Sequence, residues 1–131
     1  MGTGRRAIVA VAALALPLAR VAPASAAPKD EGAVDVSAVD CSRAHSDKTS
    51  ATGKVKTAGD PLIYRVGPDR RCNGINQVPN GTVIRYHCWT TGQRVGNWST
   101  WTWGEVGTSK RYGWFSDAYL DDHGAPAGAK C

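Results

Sequence analysis

No apolar stretch of this 131-residue chain is long enough to cross a membrane. The longest, Ala7 to Leu18, has 12 residues and contains Pro17, whereas a spanning helix needs about 20. Closely paired cysteines are also missing, since Cys41, Cys72, Cys88 and Cys131 are separated by 31, 16 and 43 positions. Zinc ligands usually come in short pairs such as C-x-x-C, so this spacing argues against a metal site, and no cofactor is expected. The patterns G-x-S-x-G and H-E-x-x-H and a phosphate-cradling glycine loop are absent as well. A strong basic excess is lacking once the chain is divided. Lys+Arg 16 against Asp+Glu 11 gives a net charge of +5, but Arg5, Arg6 and Arg20 fall in the first 26 residues, which hold no acid. The other 105 residues carry 13 bases and 11 acids, a net of +2. A nucleic-acid module would keep a strong basic face, so nucleic acid is excluded as a partner.

What is present begins with the marks of export. Arg5-Arg6 precedes the apolar run, and Ala24 and Ala26 are the small residues of a cleavage site, so residues 1–26 read as a signal peptide and Ala27 as the mature start. The arginine pair raises the twin-arginine route, but Ile8 and Val9 match its pattern loosely and the general route fits better. The first cysteine after the run is Cys41, too distant for a lipid anchor. The expectation is a secreted protein without a stable membrane anchor, free or associated with the cell wall.

Four cysteines in an exported chain of this size read as two disulfides, each worth roughly 2–4 kcal/mol. Spacing leaves three connectivities open. Residues 27–50 show neither helical nor strand period and carry five acids against three bases, the pattern of a flexible lead-in. From Ala51 the bases outnumber the acids ten to six, and short β-rich runs alternate with turn residues. Strands are expected at Leu62 to Val66, at Thr82 to Trp89 after Asn80-Gly81, at Thr100 to Val106, and at Tyr112 to Ser116. Alternation places Ile84, Tyr86 and Cys88 on one face and turns His87 to solvent. Residues 51–131 are therefore expected to form a small all-β barrel with a C-terminal tail.

Three segments in order carry a family resemblance: Tyr64-Arg65-Val66-Gly67-Pro68, then Asn80-Gly81-Thr82 leading to Cys88-Trp89-Thr90-Thr91-Gly92, then Gly113-Trp114-Phe115-Ser116-Asp117-Ala118-Tyr119-Leu120. Over roughly residues 55 to 131 the chain resembles the bacterial Src-homology-3 domain, in the small secreted form of filamentous Gram-positive bacteria. Val66 departs from the family, which usually has a small polar residue there, and so does the tryptophan-rich run Trp98 to Trp103. The resemblance implies an SH3-like barrel of five to six strands and a binding role, commonly toward cell-wall peptides, without catalysis. It also implies the disulfides. Similar members keep the cysteine of the Cys88 strand and a terminal one, which joins Cys88 to Cys131 and leaves Cys41 to Cys72. Cys72 itself is expected in an exposed loop.

All five tryptophans fall between Trp89 and Trp114. Trp114 reads as core, Trp98 as exposed after the Gly96-Asn97 turn, and Trp101 and Trp103 share one strand face, as platform or as core filling. The family's groove lies beside its first long loop, which the resemblance places near Tyr64, Arg65 and Asp69 to Asn76. With the tryptophan strand, the candidate ligand contacts are Tyr64, Arg65, Trp98, Trp101, Trp103 and Tyr112. Arg65, Arg70, Arg71, Arg85 and Arg94 read as solvated charge rather than as a patch. Three histidines (His45, His87, His123) could serve acid–base chemistry, but nothing in the sequence brings two of them together. The function expected is a monomeric, secreted, non-catalytic binding module for cell-wall peptide or peptidoglycan, or for an extracellular protein. The alternative is a small disulfide-stabilised secreted enzyme or enzyme inhibitor.

Overall fold

A computed structural model describes residues 39–131; the expected signal peptide (1–26) and the first part of the expected lead-in lie outside them. The strands are β1 (Thr52–Lys54), β2 (Leu62–Arg65), β3 (Gly74–Val78), β4 (Val83–Val95), β5 (Trp98–Val106) and β6 (Tyr112–Ser116). They form one antiparallel sheet in the order β1-β4-β5-β6-β2-β3, curled into a half-barrel. A 3-10 turn, Asp117–Tyr119, follows β6. No helix among the described residues is long and apolar enough to cross a membrane.

The turn residues act where the sequence places them. Gly96 takes φ +58 in the two-residue turn that pairs Val95 with Trp98, a conformation that costs glycine little. Gly81, at φ +86, starts β4 in the same way. Strands β2, β4, β5 and β6 overlap the expected runs, but β4 continues beyond Trp89 to Val95 and β5 begins at Trp98 rather than Thr100. The sequence signal misses β1 and β3 for a physical reason. In β1 only Gly53 is buried, and β3 is exposed at every position but Val78. Both are rim strands held by pairing to β4 and β2, so neither needs an apolar face.

Two apolar clusters lie on opposite faces of the sheet. The larger gathers Tyr64, Ile84, Tyr86, Trp89, Phe115 and Leu120, with Tyr64 stacked on Phe115 at 5.1 Å between ring centres. The smaller joins Val95, Trp101 and Trp114. A bulge at His87 connects the two arrangements. Tyr86 opposes Gly104 while Cys88 opposes the adjacent Trp103, so His87 is the extra residue of β4. Cys88 therefore leaves the face of Ile84 and Tyr86, contrary to simple alternation, and joins the side of Trp103. His87 is likewise not free in solvent. It is half-buried, with Nε2 enclosed and its ring edge-on to Tyr112 at 5.6 Å.

The disulfides are Cys41–Cys72 and Cys88–Cys131, with Cα separations of 5.5 and 5.0 Å. Cys72 is buried rather than in an exposed loop, because the turn at Gly67 to Asp69 folds it under the lead-in. The tail after the 3-10 turn follows the outer edge of β4. Trp89 N–H donates to Ala129 O at 2.9 Å, Cys131 N–H donates to Trp89 O at 2.9 Å, and the Trp89 indole donates to Ala127 O at 3.0 Å. Ala125 and Ala129 are the buried apolar anchors of this tail. Further down, the Tyr86 hydroxyl donates to Asp122 at 2.6 Å, and burial next to that carboxylate raises its pKa far above the usual phenol value.

The described part of the lead-in, residues 39–50, contains no helix or strand. It runs over the Trp103 side of the sheet and is fixed at more points than Cys41. Arg43 Nε donates to Thr90 Oγ1 at 3.0 Å, Ser46 N–H to Cys88 Sγ at 3.3 Å, and Lys48 N–H to His87 O at 2.7 Å.

Candidate functional site

A concavity of about 320 Å³ lies between the segment Thr57 to Ile63 and the loop after β2. Its apolar lining comes from Leu62, Val95, Trp101 and Tyr119, and its charges from Asp60, Arg65 and Arg70. Local sequence explains the shape. Trp101 and Pro68 approach the chain closely at position 92 because that residue is glycine; a Cβ there would run into the Pro68 carbonyl and the Trp101 ring. The Trp101 indole N–H then donates to Gln93 O at 2.9 Å, which fixes the ring as the apolar base of the groove. Gln93 also orders the neighbouring loop, since its N–H donates to Pro68 O at 3.0 Å and its side chain accepts from Arg70 N–H at 2.8 Å.

The charges differ in how far the protein itself uses them. Asp69 is 4% exposed and accepts from Arg71 three times, through N–H at 2.8 Å, Nε at 3.0 Å and Nη2 at 2.8 Å. Those hydrogen bonds hold its carboxyl below the ordinary value and raise the pKa of Arg71 in return. Arg65 Nη1 donates to Cys72 O at 3.0 Å, leaving its other donors available. The guanidinium of Arg70 is exposed and meets no acid among the described residues.

A second feature is an aromatic stack under the lead-in. His45 lies over Trp103 at 3.6 Å between centroids and 10° between planes; Trp103 in turn faces Tyr112 at 6.4 Å and Trp114 edge-on at 5.5 Å. Here the fold brings His45 and His87 within reach of each other's charge, a proximity the sequence does not disclose. The pKa of His45 is lowered from its ordinary 6.5, first by loss of water around the ring and then by repulsion from His87. As the pH falls below about 6.5, the unfolded chain binds a proton at His45 that the folded chain resists. This stability is complete above that pH and declines below it. Asp69, lowered from 3.8, contributes stability that is lost only at more acid pH. The urea midpoint should therefore fall between pH 7 and pH 5, and His45→Phe, which keeps a stacked ring, should flatten that interval. An unchanged slope in the variant would contradict this assignment.

The candidate contacts expected from sequence are dispersed. Tyr64 is 1% exposed in the main core and offers a ligand no surface, because β6 covers it through Phe115. Trp101 and Trp103 do share a face, but Trp101 is 2% exposed and presents only its lining atoms to the groove. Arg65 meets it there. Trp103 and Tyr112 belong to the aromatic stack instead, and Tyr112 is 36% exposed. Trp98 is half-buried rather than free, stacked on His123 at 4.1 Å in the tail. Sequence reasoning missed Asp60, Val95 and Tyr119 as groove residues, whereas Arg70 falls within the segment Asp69 to Asn76 that the resemblance places near the groove, although its charge reads as solvated. For the three missed residues the available signal was position, since they flank turns that converge in space.

The remaining acids of the tail are structural. Asp121 accepts from Lys54 N–H at 2.9 Å and Asp122 from Tyr86, so Asp121-Asp122-His123 does not converge. No cluster of three metal-ligating side chains occurs among the described residues. No family model, curated protein or solved structure matches the chain.

Proposed function

We propose that this chain is a secreted, non-catalytic binding module whose groove takes a short peptide of the cell envelope. The observation that carries the reading is the groove itself, an apolar base of Trp101, Val95 and Leu62 edged by guanidinium groups. Ligand sites typically combine such an apolar lining with a few placed polar groups, and occupy about 300–1,000 Å³. At about 320 Å³ this one suits a few residues rather than a folded partner. The export-signal pattern of residues 1–26, the two disulfides and the resemblance to secreted wall-binding domains support the same reading. Incubation with insoluble peptidoglycan tests it. The purified protein should sediment with the polymer and leave it chemically intact. Failure to sediment, together with hydrolysis of a wall or nucleic-acid substrate, would favour the small-enzyme alternative.

A further inference from the structure

We infer that the groove recognises the free C-terminal carboxylate of a short apolar peptide, with Arg70 as the carboxylate contact. This rests on the groove being the binding site and adds the chemistry of what enters it.

The reasoning starts from charge. Arg65 and Arg70 bring two positive charges to the lining against the single negative charge of Asp60. Nearby Asp69 does not cancel the excess, because Arg71 occupies it through three hydrogen bonds. Arg65 already gives one donor to Cys72 O. Among the described residues Arg70 gives none of its side-chain donors to a protein acceptor, yet its backbone is held by Gln93. A guanidinium on an anchored backbone offers a planar fork that matches a carboxylate in two parallel hydrogen bonds.

The apolar lining then distinguishes between anions. Leu62, Val95 and Trp101 give no hydrogen bonds to a phosphate or sulfate, but they can cover the side chain attached to a terminal carboxylate. Asp60 sets direction, since a second carboxylate beside it would be repelled, whereas an amide or an amine would not.

Isothermal titration of the purified protein with acetyl-Lys-D-Ala-D-Ala and with its C-terminal amide tests the inference. The acid should bind at least ten-fold tighter than the amide, a difference of about 1.4 kcal/mol. Arg70→Gln should reduce that preference to within about two-fold while leaving the amide's affinity unchanged. Arg111→Gln, at an exposed position just before β6 and outside the groove lining, should keep it. Equal binding of acid and amide overturns the inference and leaves the groove as a peptide site. Full preference surviving in Arg70→Gln overturns the role of that residue. If neither probe binds, the inference fails; retention on peptidoglycan then shows whether the binding module survives it.

Discussion

Trp101→Ala should destabilise the protein by about 3–5 kcal/mol, the usual cost of deleting a buried tryptophan. The ring is 2% exposed, packs with Val95 and Trp114, and holds the Gln93 carbonyl through its indole. Small domains have only about 5–15 kcal/mol in total, so the variant should unfold at much lower urea and be partly unfolded at 37 °C. Trp103→Ala makes the contrast, although it lies two residues away on the same face. Its ring is half-buried under His45, so its loss should cost less than half as much. Urea titrations followed by circular dichroism measure both. Equal, small losses in the two variants would show that Trp101 is not the base of the groove.

Asp117→Ala should be comparably severe. The side chain is 0% exposed and accepts from Thr100 Oγ1 at 2.7 Å and Thr102 Oγ1 at 2.6 Å. Thr102 Oγ1 in turn accepts from Ala125 N–H at 3.0 Å, and Gly124 at φ +87 lies directly against the carboxylate. One acid thus joins β5, the 3-10 turn and the tail. Hydrogen bonds to a buried charged group contribute about 1.5–3 kcal/mol each, so truncation should cost roughly 3–5 kcal/mol. Asp117→Asn preserves the volume and one acceptor and should lose about half of that. A loss below about 1 kcal/mol for Asp117→Ala would mean the tail is held without it.

The sequence made the strands legible where a buried face imposes alternation. β4 and β6 follow their apolar residues, and the turns at Gly81 and Gly96 follow from glycine's freedom at positive φ. It hid what depends on pairing alone. β3 has one buried residue, and the bulge at His87 leaves no trace in composition because the same letters serve either face. That bulge decides where Cys88 points and which histidine approaches His45.

The candidate site was legible in part for the same reason. Arg65 and Trp101 were identifiable by type and reach the groove, whereas Tyr64 has the same aromatic character and is drawn into the core by Phe115. Asp60, Arg70 and Tyr119 come from three separate segments. Asp60 precedes β2, Arg70 follows it and Tyr119 follows β6, so the pairing of β2 with β6 brings them together, and no local pattern marks that.

The most direct measurement is a heteronuclear NMR titration of the purified protein with soluble muropeptides. Binding in the groove should shift the Trp101 indole and the amides of Ile63, Arg70 and Tyr119, while the Trp103 indole and the amides of residues 39–50 stay in place. Shifts confined to Trp103, Tyr112 and the lead-in would contradict the groove as the site and move recognition to the aromatic stack.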